Sequence, residues 1–400
     1  MAIVRALVPL GILGILVAYV WWRLVRATRL TGRARIAATI AIIALVAPMA
    51  WVMVSRPGVP MINGAVAWPT YLGWLMFGLT FVALVVIDVV RMTLRLAVWL
   101  GRKAARRPAL PDPSRRQALS RITGGLVTTA VVGHVGYGLT QALGDAELVD
   151  VPVTLARLPA ALDGFTILQL TDLHIGGTLG RSFVEALVQR TNAIGADLIA
   201  LTGDFVDGTV DELGDAIAPL AQLRAPHGVY FVTGNHEYYS GVAPWIAYLS
   251  SLGIRVLRNE RVAIARGGDA FDLAGIDDHD GKDFAAGHGP DLDRALAGRD
   301  RRRALVLLAH QPRQVRDAAR YDVDLQLSGH THGGQVWPWH YVVALQQGGL
   351  LAGRYRVGAT QLYVSRGPGY WGPPVRVGAP PEITRVILRA ASRPSPPPRS

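Results

Sequence analysis

The first 143 residues alternate long apolar runs with short basic ones. The stretches 36–54 and 70–87 contain no charged residue, and each is about long enough to cross a ~30 Å hydrocarbon core. Any one such run is also compatible with a buried core helix, but the length of four runs in succession within 143 residues argues against that interpretation. The sequence therefore predicts a transmembrane region over 1–145, with helices at about 6–22, 36–54, 70–90 and 122–143.

From about residue 150 the pattern changes to short apolar runs that alternate with amphipathic stretches. Strand–helix alternation comes first and strand-rich sequence follows, which favours sheets covered by helices on their outer faces. The predicted helices are 181–195, 211–223, 243–252 and 291–297. The predicted strands are 164–171, 197–202, 228–233, 254–257, 262–265, 270–275, 304–309, 323–328, 361–365 and 383–389. The Pro- and Ser-rich segment 391–400 is predicted to be a disordered tail.

Charge is distributed unevenly along the chain. Residues 1–121 carry 16 Lys or Arg against two acidic residues, whereas the remainder carries 25 basic and 27 acidic residues. The basic excess therefore belongs to the N-terminal region, and no nucleic-acid partner is expected. Because the loops 23–35 and 91–121 are rich in Arg, the positive-inside rule places them in the cytoplasm. This predicts a multi-pass protein of the inner cell membrane with its C-terminal domain on the extracytoplasmic side.

The segment before the fourth apolar run admits a second interpretation. SRRQAL at 114–119, followed by an apolar stretch, also resembles a twin-arginine export signal, and Ala142-Leu143-Gly144 is a passable cleavage site of the small-x-small type. The other interpretation is a basic loop before a permanent helix. Both export the C-terminal domain, and they differ on whether it stays tethered. The chain contains no cysteine, so disulfides and thiolate metal sites are excluded.

Five polar clusters, TDLH, TGDFVD, TGNHE, LLAHQP and SGHTHGG, each contain or follow the end of an apolar run that is typical of a buried strand. Open α/β sheets carry their chemistry at the C-terminal ends of such strands. Five successive clusters with hard or borderline ligands predict a two-metal hydrolase. Their metal-capable and neighbouring polar residues are Asp172, His174, Asp204, Asp207, Asn235, His236, His310, His330 and His332.

The spacing within the clusters suggests how they bind. Asp172 and His174 are two residues apart, so an extended backbone would project both side chains to one side. His330 and His332 repeat this spacing. Asp204 follows a glycine, where its carboxylate is either a bridge between two ions ~3.5–4 Å apart or the cap of a turn. The mixed set of carboxylate, imidazole and amide favours Mn²⁺, Fe or Zn²⁺.

The motifs D-x-H, GD-x-x-D, GNHE, a lone His after an apolar strand, and G-H-T-H, in this order, resemble the calcineurin-like metallophosphoesterase family. The flanking LQLSGHTHGGQV, YVSRGPG and PPEIT resemble its membrane-associated bacterial branch, the YkuE/YaeI-like phosphodiesterases. The resemblance covers about residues 150–390. It implies a four-layer α/β/β/α sandwich with a dinuclear site at the strand ends.

The resemblance also assigns roles to residues. It implies a first ion held by Asp172, His174 and His332, with Asp204 as the bridge. The second ion would be held by Asn235, His310 and His330. His236 would be a non-ligand acid or transition-state group, oriented by Asp207. The Arg that follows GD-x-x-D in phosphoprotein phosphatases is replaced by Gly208, which argues against a Ser/Thr phosphatase.

The expected function is a membrane-anchored phosphoesterase that hydrolyses a phosphodiester, pyrophosphate or phosphomonoester by attack of a metal-bridged hydroxide. The membrane anchor and nearby aromatic residues suggest a small-molecule or lipid-linked phosphoester of the cell envelope. The alternative is a non-catalytic membrane sensor or scaffold that retains the fold. The ligand set is complete, which favours the enzyme.

Three further features are open in the sequence. Residues 277–279 either approach the site from a loop or take a surface or turn position, which is the favoured interpretation. Arg366 contacts either a substrate phosphate or a carboxylate of the protein. The aromatic residues near the last metal motif either line a substrate groove or pack in the ordinary way, which is the favoured interpretation; they are Trp337, Trp339, Tyr341, Tyr370 and Trp371.

Overall fold

The computed structural model describes residues 2–54, 64–104, 113–284 and 286–391. The chain divides into an N-terminal unit, residues 1–139 with 372–374, and a C-terminal unit, residues 140–371 with 375–400. The segment after the second predicted span, part of the second Arg-rich loop and all but the first residue of the predicted tail lie outside the described residues.

The N-terminal unit is built from long apolar helices. Each contains a stretch that is long and apolar enough to cross a membrane. Asp88 and Arg23 form an ion pair at 2.8 Å, and the hydroxyl of Tyr19 donates to the same carboxylate at 2.8 Å. The helices are α1 (Ala2–Trp21), extended by a π-helical turn (Trp22–Arg26), α2 (Gly32–Val54), α3 (Gly64–Ala104) and α4 (Pro113–Ala142).

The C-terminal unit contains two mixed six-stranded sheets. The first sheet has the order β1 (Glu147–Leu155), β12 (Glu382–Ala390), β2 (Thr166–Leu170), β3 (Leu198–Leu201), β4 (Val229–Phe231) and β5 (Arg255–Val256). The second has the order β10 (Gly353–Val357), β11 (Thr360–Val364), β9 (Leu325–Ser328), β8 (Leu305–Leu308), β7 (Asp269–Gly275) and β6 (Glu260–Arg266).

The helices of this unit are short and follow individual strands. They are α5 (Arg181–Ile194), α6 (Val210–Ile217), α7 (Asn235–Tyr239), α8 (Val242–Ser251), α9 (Leu292–Leu296), α10 (Val315–Ala318) and α11 (His340–Gln346).

The main core lies between the two sheets. Ile167 and Leu198 of the first sheet belong to the same buried cluster as Leu273 and Leu327 of the second. On the outer face of the second sheet, side chains of α9 pack against Leu305 in a separate cluster. The predicted fold class is therefore confirmed: two mixed sheets form the sandwich, and a region of four long apolar helices precedes it.

Candidate metal centre

The parallel strands bring all five polar clusters to one end of the sandwich. In the first sheet β2, β3 and β4 run parallel, and in the second β8 and β9 do the same. Backbone hydrogen bonds continue between the loops that follow, from Asp172 N to Gly203 O at 3.0 Å and from His174 N to Asp204 O at 3.1 Å. The loops are therefore held together by the register of the strands that precede them.

The D-x-H spacing suggested an extended backbone at the site, but the structure does not have one. Asp172 and His174 have φ values of 55° and 47°, so both lie in the left-handed region, as do Asp204, His330 and His332. The side chains of Asp172 and His174 do lie close together, but for a different geometric reason from the one that the spacing suggested. Left-handed conformations cost non-glycine residues free energy, and they cluster at functional sites.

Glycines make room for these carboxylates. A Cβ at Gly234 would overlap the Oδ1 of Asp204, and one at Gly329 would overlap the Oδ2 of Asp172. The glycine in TGNHE and the one before His330 are therefore required by close approach of a buried carboxylate.

The first group of ligands contains Asp172, His174 and His332. The Nε2 atoms of the two histidines lie 2.9 Å apart, and the Nε2 of His332 lies 3.4 Å from Oδ1 of Asp172. One donor atom from each residue lies within 4.8 Å of the others, and all three residues are buried. This arrangement has the size and donor set of a metal site.

The second group contains Asp204, His310 and His330. The Oδ2 of Asp204 lies 3.0 Å from Nε2 of His310, which in turn lies 3.2 Å from Nδ1 of His330. The same Oδ2 lies 3.8 Å from Nε2 of His174. One carboxylate oxygen therefore faces both groups.

Asn235 begins α7, beside the second group. Its Oδ1 is buried and accepts no hydrogen bond from any residue that the structure describes. A buried amide oxygen without a donor is costly, unless a cation takes the donor's place. Together with the neighbouring carboxylate and imidazoles, this orphaned oxygen fits a divalent metal ion.

A third group joins the predicted acid to the first ligand group. Oδ1 of Asp207 lies 2.6 Å from Nδ1 of His236 and 3.0 Å from Nδ1 of His174. Burial disfavours the charged ring of His236, but Asp204 and Asp207 outweigh it and raise the pKa of His236 to about 9. His236 therefore holds a proton at neutral pH in the metal-free protein.

Three histidines of the ligand groups, His310, His330 and His332, differ in the direction in which their pKa is shifted. Burial lowers the pKa of His330 to about 3, and it also lowers the pKa of His332 well below its usual value. Both rings are neutral at physiological pH, which is the form that binds metal. Burial opposes the charge of His310, but the adjacent Asp204 raises the pKa of its ring well above the ordinary value.

Two residues that the sequence interpretation left without a role support the site. The buried carboxylate of Glu237 accepts hydrogen bonds from the backbone N–H groups of Asp204, Phe205 and Gly234 at 3.0, 2.7 and 2.6 Å. It thereby fastens the β3 loop to the start of α7. Its place in TGNHE was the available signal, since a Glu three residues after a helix cap commonly bonds back to that cap.

Arg376 is fully buried and ion-pairs with no described carboxylate. Its guanidinium donates to backbone carbonyls, including Gly369 at 2.9 Å, Ala379 at 3.0 Å and His332 at 3.3 Å. It therefore ties the turn of His332 to the segment that follows β11. No motif in the sequence marks this residue.

The structure decides two of the features that the sequence left open. Asp277 and Asp278 are fully buried, so a surface position is wrong for both. Asp278 has a turn role, because its Oδ1 accepts from N of Asp280 at 2.9 Å. Arg366 forms an ion pair with Glu382 at 2.6 Å. Of the two predicted alternatives, a substrate phosphate or a carboxylate of the protein, the structure therefore shows the carboxylate contact.

The aromatic cluster does not pack in the ordinary way. Tyr370 is buried, but Trp337, Trp339, Tyr341 and Trp371 are each about half exposed or more, so the packing interpretation is wrong for these four. The ring of Trp371 lies 5.9 Å from that of His236, centroid to centroid. The exposed aromatic surface therefore reaches the mouth of the candidate site.

A two-sheet sandwich with buried carboxylates and imidazoles at its strand ends fits the class of metal-dependent hydrolases. Residues 165–334 match the family model described as calcineurin-like phosphoesterase. The chain belongs to this family, and the expected enzyme class, a metal-dependent phosphoric ester hydrolase, is confirmed.

Relatives at substantial identity span most of the chain. A "transmembrane protein with metallophosphoesterase domain" from Danio rerio is 36% identical over 81% of this chain and 74% of its own. An uncharacterized metallophosphoesterase of Helicobacter pylori is 38% identical over 69% of this chain and 73% of its own. YkuE of Bacillus subtilis, also uncharacterized, is 32% identical over 70% and 99%. With the four apolar helices, the name of the Danio rerio relative supports a membrane protein.

Proposed function

We propose that the protein is a membrane-anchored dinuclear-metal phosphoesterase that hydrolyses a phosphodiester, pyrophosphate or phosphomonoester. The observation that carries the proposal is the position of Asp204, whose Oδ2 faces His310 at 3.0 Å and His174 at 3.8 Å. A single carboxylate that faces two ligand groups suits a site for a pair of ions.

The ligands divide between the two ions around that carboxylate. Asp172, His174 and His332 would hold the first ion, and Asn235, His310 and His330 the second, with Mn²⁺, Fe or Zn²⁺ the ions that suit this donor set. When bound, two such cations would make a nucleophile available from water at neutral pH and offset negative charge on the phosphoryl group.

His236 has the properties of a general acid. Its ring lies against Asp207 at 2.6 Å, and in the metal-free protein its pKa is raised to about 9. It would donate this proton to the leaving oxygen, or stabilise charge on the phosphoryl group while it stays protonated. Asp207 would hold the ring in orientation from the other side.

The substrate class is proposed from the surroundings of the site. Four helices suited to a membrane and an aromatic residue beside His236 favour a lipid-linked or cell-envelope phosphoester. The Danio rerio relative is named as a transmembrane protein, which supports an anchor. We assign residues 1–145 to the transmembrane region and 150–390 to the phosphoesterase domain, and we expect the domain on the extracytoplasmic side of the inner membrane.

Activity profiling of the purified full-length protein tests the proposal. The protein would be stripped of metal, loaded with Mn²⁺, Fe²⁺ or Zn²⁺ and assayed on an aryl phosphomonoester, an aryl phosphodiester and a lipid pyrophosphate. We expect hydrolysis of at least one substrate, restored only by metal. Metal-loaded, folded protein without turnover on any phosphoester would favour the sensor or scaffold alternative.

Reporter fusions test the topology. A reporter that is active only outside the cytoplasm should be active after residue 150 and silent in the 23–35 loop. The reverse pattern would overturn the orientation. A mature protein that begins near residue 145 and leaves the membrane would favour the twin-arginine interpretation over the anchor.

A further inference from the structure

Helix α11 has an apolar sequence but contributes nothing to the core. None of its residues, all of which the structure describes, is buried. The exposed fractions are 66% for Tyr341 and 83% for Leu345, and Trp339 immediately before the helix is 56% exposed. We call Trp339, Tyr341, Val342 and Leu345 the α11 surface. A contiguous exposed apolar surface of this kind marks an interaction site.

The α11 surface is fixed next to the metal centre. The α-carbon and Cβ of His340 fill the space that a Cβ on Gly334 would occupy, so the helix begins against the turn of His332. The side chain of Gln335 accepts from N of Trp371 at 2.9 Å and donates to its O at 3.0 Å. Since Trp371 lies beside His236, the surface and the mouth of the site are held in one local framework.

Charge around the surface selects the partner. Residues 325–381 contain no Asp or Glu, although they contain four Arg. Two of these, Arg354 and Arg356, are exposed on β10. An apolar surface on a segment without acidic side chains is complementary to anionic lipid headgroups above an apolar layer. Trp and Tyr are also the side chains that concentrate at the boundary between membrane and water.

We propose that the α11 surface inserts into the headgroup region of the membrane in which the protein is anchored. Docking of this surface presents the mouth of the site to molecules held in the lipid layer. The docking does not depend on catalysis. Its consequence, that the enzyme acts on a phosphoester borne by a membrane lipid, rests on the proposed function.

The absence of cysteine from the chain makes a direct test possible. Leu345→Cys in the full chain would be labelled with an environment-sensitive fluorophore and reconstituted into vesicles of phosphatidylglycerol and phosphatidylcholine. Arg302→Cys is the control, because residue 302 is exposed and precedes β8, at the opposite end of that strand from His310. We expect the label at 345 to show blue-shifted emission, and quenchers attached to the lipid headgroups should lower its intensity. The label at 302 should show water-like emission that these quenchers do not lower.

Three results would overturn the docking proposal. Water-like emission at 345 would show that the surface stays in solvent. Blue-shifted emission that lipid-borne quenchers do not reach would show that a second copy or the chain's own helices cover it. Equal quenching at 345 and 302 would show that the label senses nothing particular to the α11 surface.

A second variant separates docking from catalysis. Leu345→Glu should lower the docked fraction, reported by a label at Val342→Cys, by roughly tenfold or more, because burial of a leucine side chain is lost. The ratio of turnover on a vesicle-borne lipid phosphodiester to turnover on a water-soluble aryl phosphodiester should fall with it. If the metal-loaded wild type hydrolyses no phosphoester, soluble or lipid-borne, the proposed function fails, while the quenching result still decides the docking.

Discussion

Two neighbouring regions of the C-terminal unit depart from the usual distribution of residues in opposite directions. At the strand ends, carboxylates and imidazoles such as Asp172, His310 and His332 are buried. On α11, a short distance along the chain, Leu345 and Tyr341 are exposed. Burial of charge and exposure of large apolar side chains both cost free energy. On the proposals made above, each arrangement becomes favourable when a partner is bound, ions in the first region and lipid in the second.

The two departures differ in how they are held. The buried residues are held by hydrogen bonds between neighbouring loops, and Asp172, His174 and Asp204 have left-handed backbone conformations there. Among the described residues, the contacts that position the α11 surface include the packing of His340 against Gly334 and the hydroxyl of Thr331, which donates to O of Leu351. Catalysis requires fixed donor atoms, whereas insertion into lipid requires only that apolar area be presented.

Removal of the shared carboxylate should have the largest effect on the buried region. Asp204→Asn should lower both metal content and kcat, and the loss in kcat should at least equal the roughly 10²–10⁴-fold effect of losing a positioned acid. Metal analysis after Mn²⁺ loading and steady-state kinetics would measure both. Asp269→Asn, an exposed carboxylate at the start of β7, is the control and should leave both unchanged. Wild-type protein with well under one ion per chain would contradict the dinuclear assignment.

His236 separates acid catalysis from metal binding. His236→Ala should retain wild-type metal content while kcat falls by roughly 10²–10⁴-fold, the usual range for a positioned acid. The loss should be smaller for aryl esters, because good leaving groups need less protonation. Equal loss on all substrates would instead favour charge stabilisation at the phosphoryl oxygens. Loss of an ion from this variant would make His236 a ligand and contradict the division of roles.

Asp207 should affect both functions, which sharpens the role implied by the sequence. Its Oδ1 contacts Nδ1 of His174 at 3.0 Å as well as Nδ1 of His236. Asp207→Asn should therefore cost roughly 10–100-fold in activity and also weaken the first metal, as is typical when a residue that orients a ligand is replaced. Titration of apo protein with Mn²⁺ would measure the affinity. Unchanged affinity with reduced kcat would restrict Asp207 to His236 alone.

Most of the strands could be predicted from the sequence because buried strands are unbroken apolar runs. Every strand was anticipated except β1 and β10, which lie at the edges of the two sheets. In β10 no residue is buried, and in β1 buried and exposed residues alternate around Pro152. Edge strands carry polar side chains that weaken the pattern, so neither segment stands out from a loop.

The candidate site was predictable for a different reason. Its donor atoms belong to Asp, Asn and His residues in short motifs, so these residues could be named before their geometry was known. The backbone conformation could not, because left-handed φ at Asp172 and His174 is imposed by contacts from other loops. Arg376 could not be found either, since its partners are backbone carbonyls that leave no trace in the sequence. The exposure of α11 contradicts what its apolar sequence indicates.

Substitution of Asp278 tests whether a buried carboxylate outside the ligand groups contributes to activity or only affects stability. It lies outside the three ligand groups, and its Oδ2 is buried without a hydrogen-bond partner among the described residues. Burial raises the pKa of Asp278 to about 6 from an ordinary value of 3.8. The folded protein therefore binds this proton more tightly than the unfolded chain does. The stability that it contributes is present below about pH 4 and is lost as the pH rises through about 6.

Asp278→Asn should remove this dependence in the metal-free protein. An asparagine keeps the acceptor for Gln311, which donates to Oδ1 at 3.1 Å, and carries no charge at any pH. The variant should match the wild type near pH 4 and exceed its stability by on the order of 2–3 kcal/mol at pH 8. Thermal unfolding of both proteins at the two pH values, with Asp269→Asn as the exposed control, would measure the difference. Equal stability at pH 8 would mean that the buried carboxylate is compensated, and a variant that gains stability but loses turnover would place Asp278 with the functional residues.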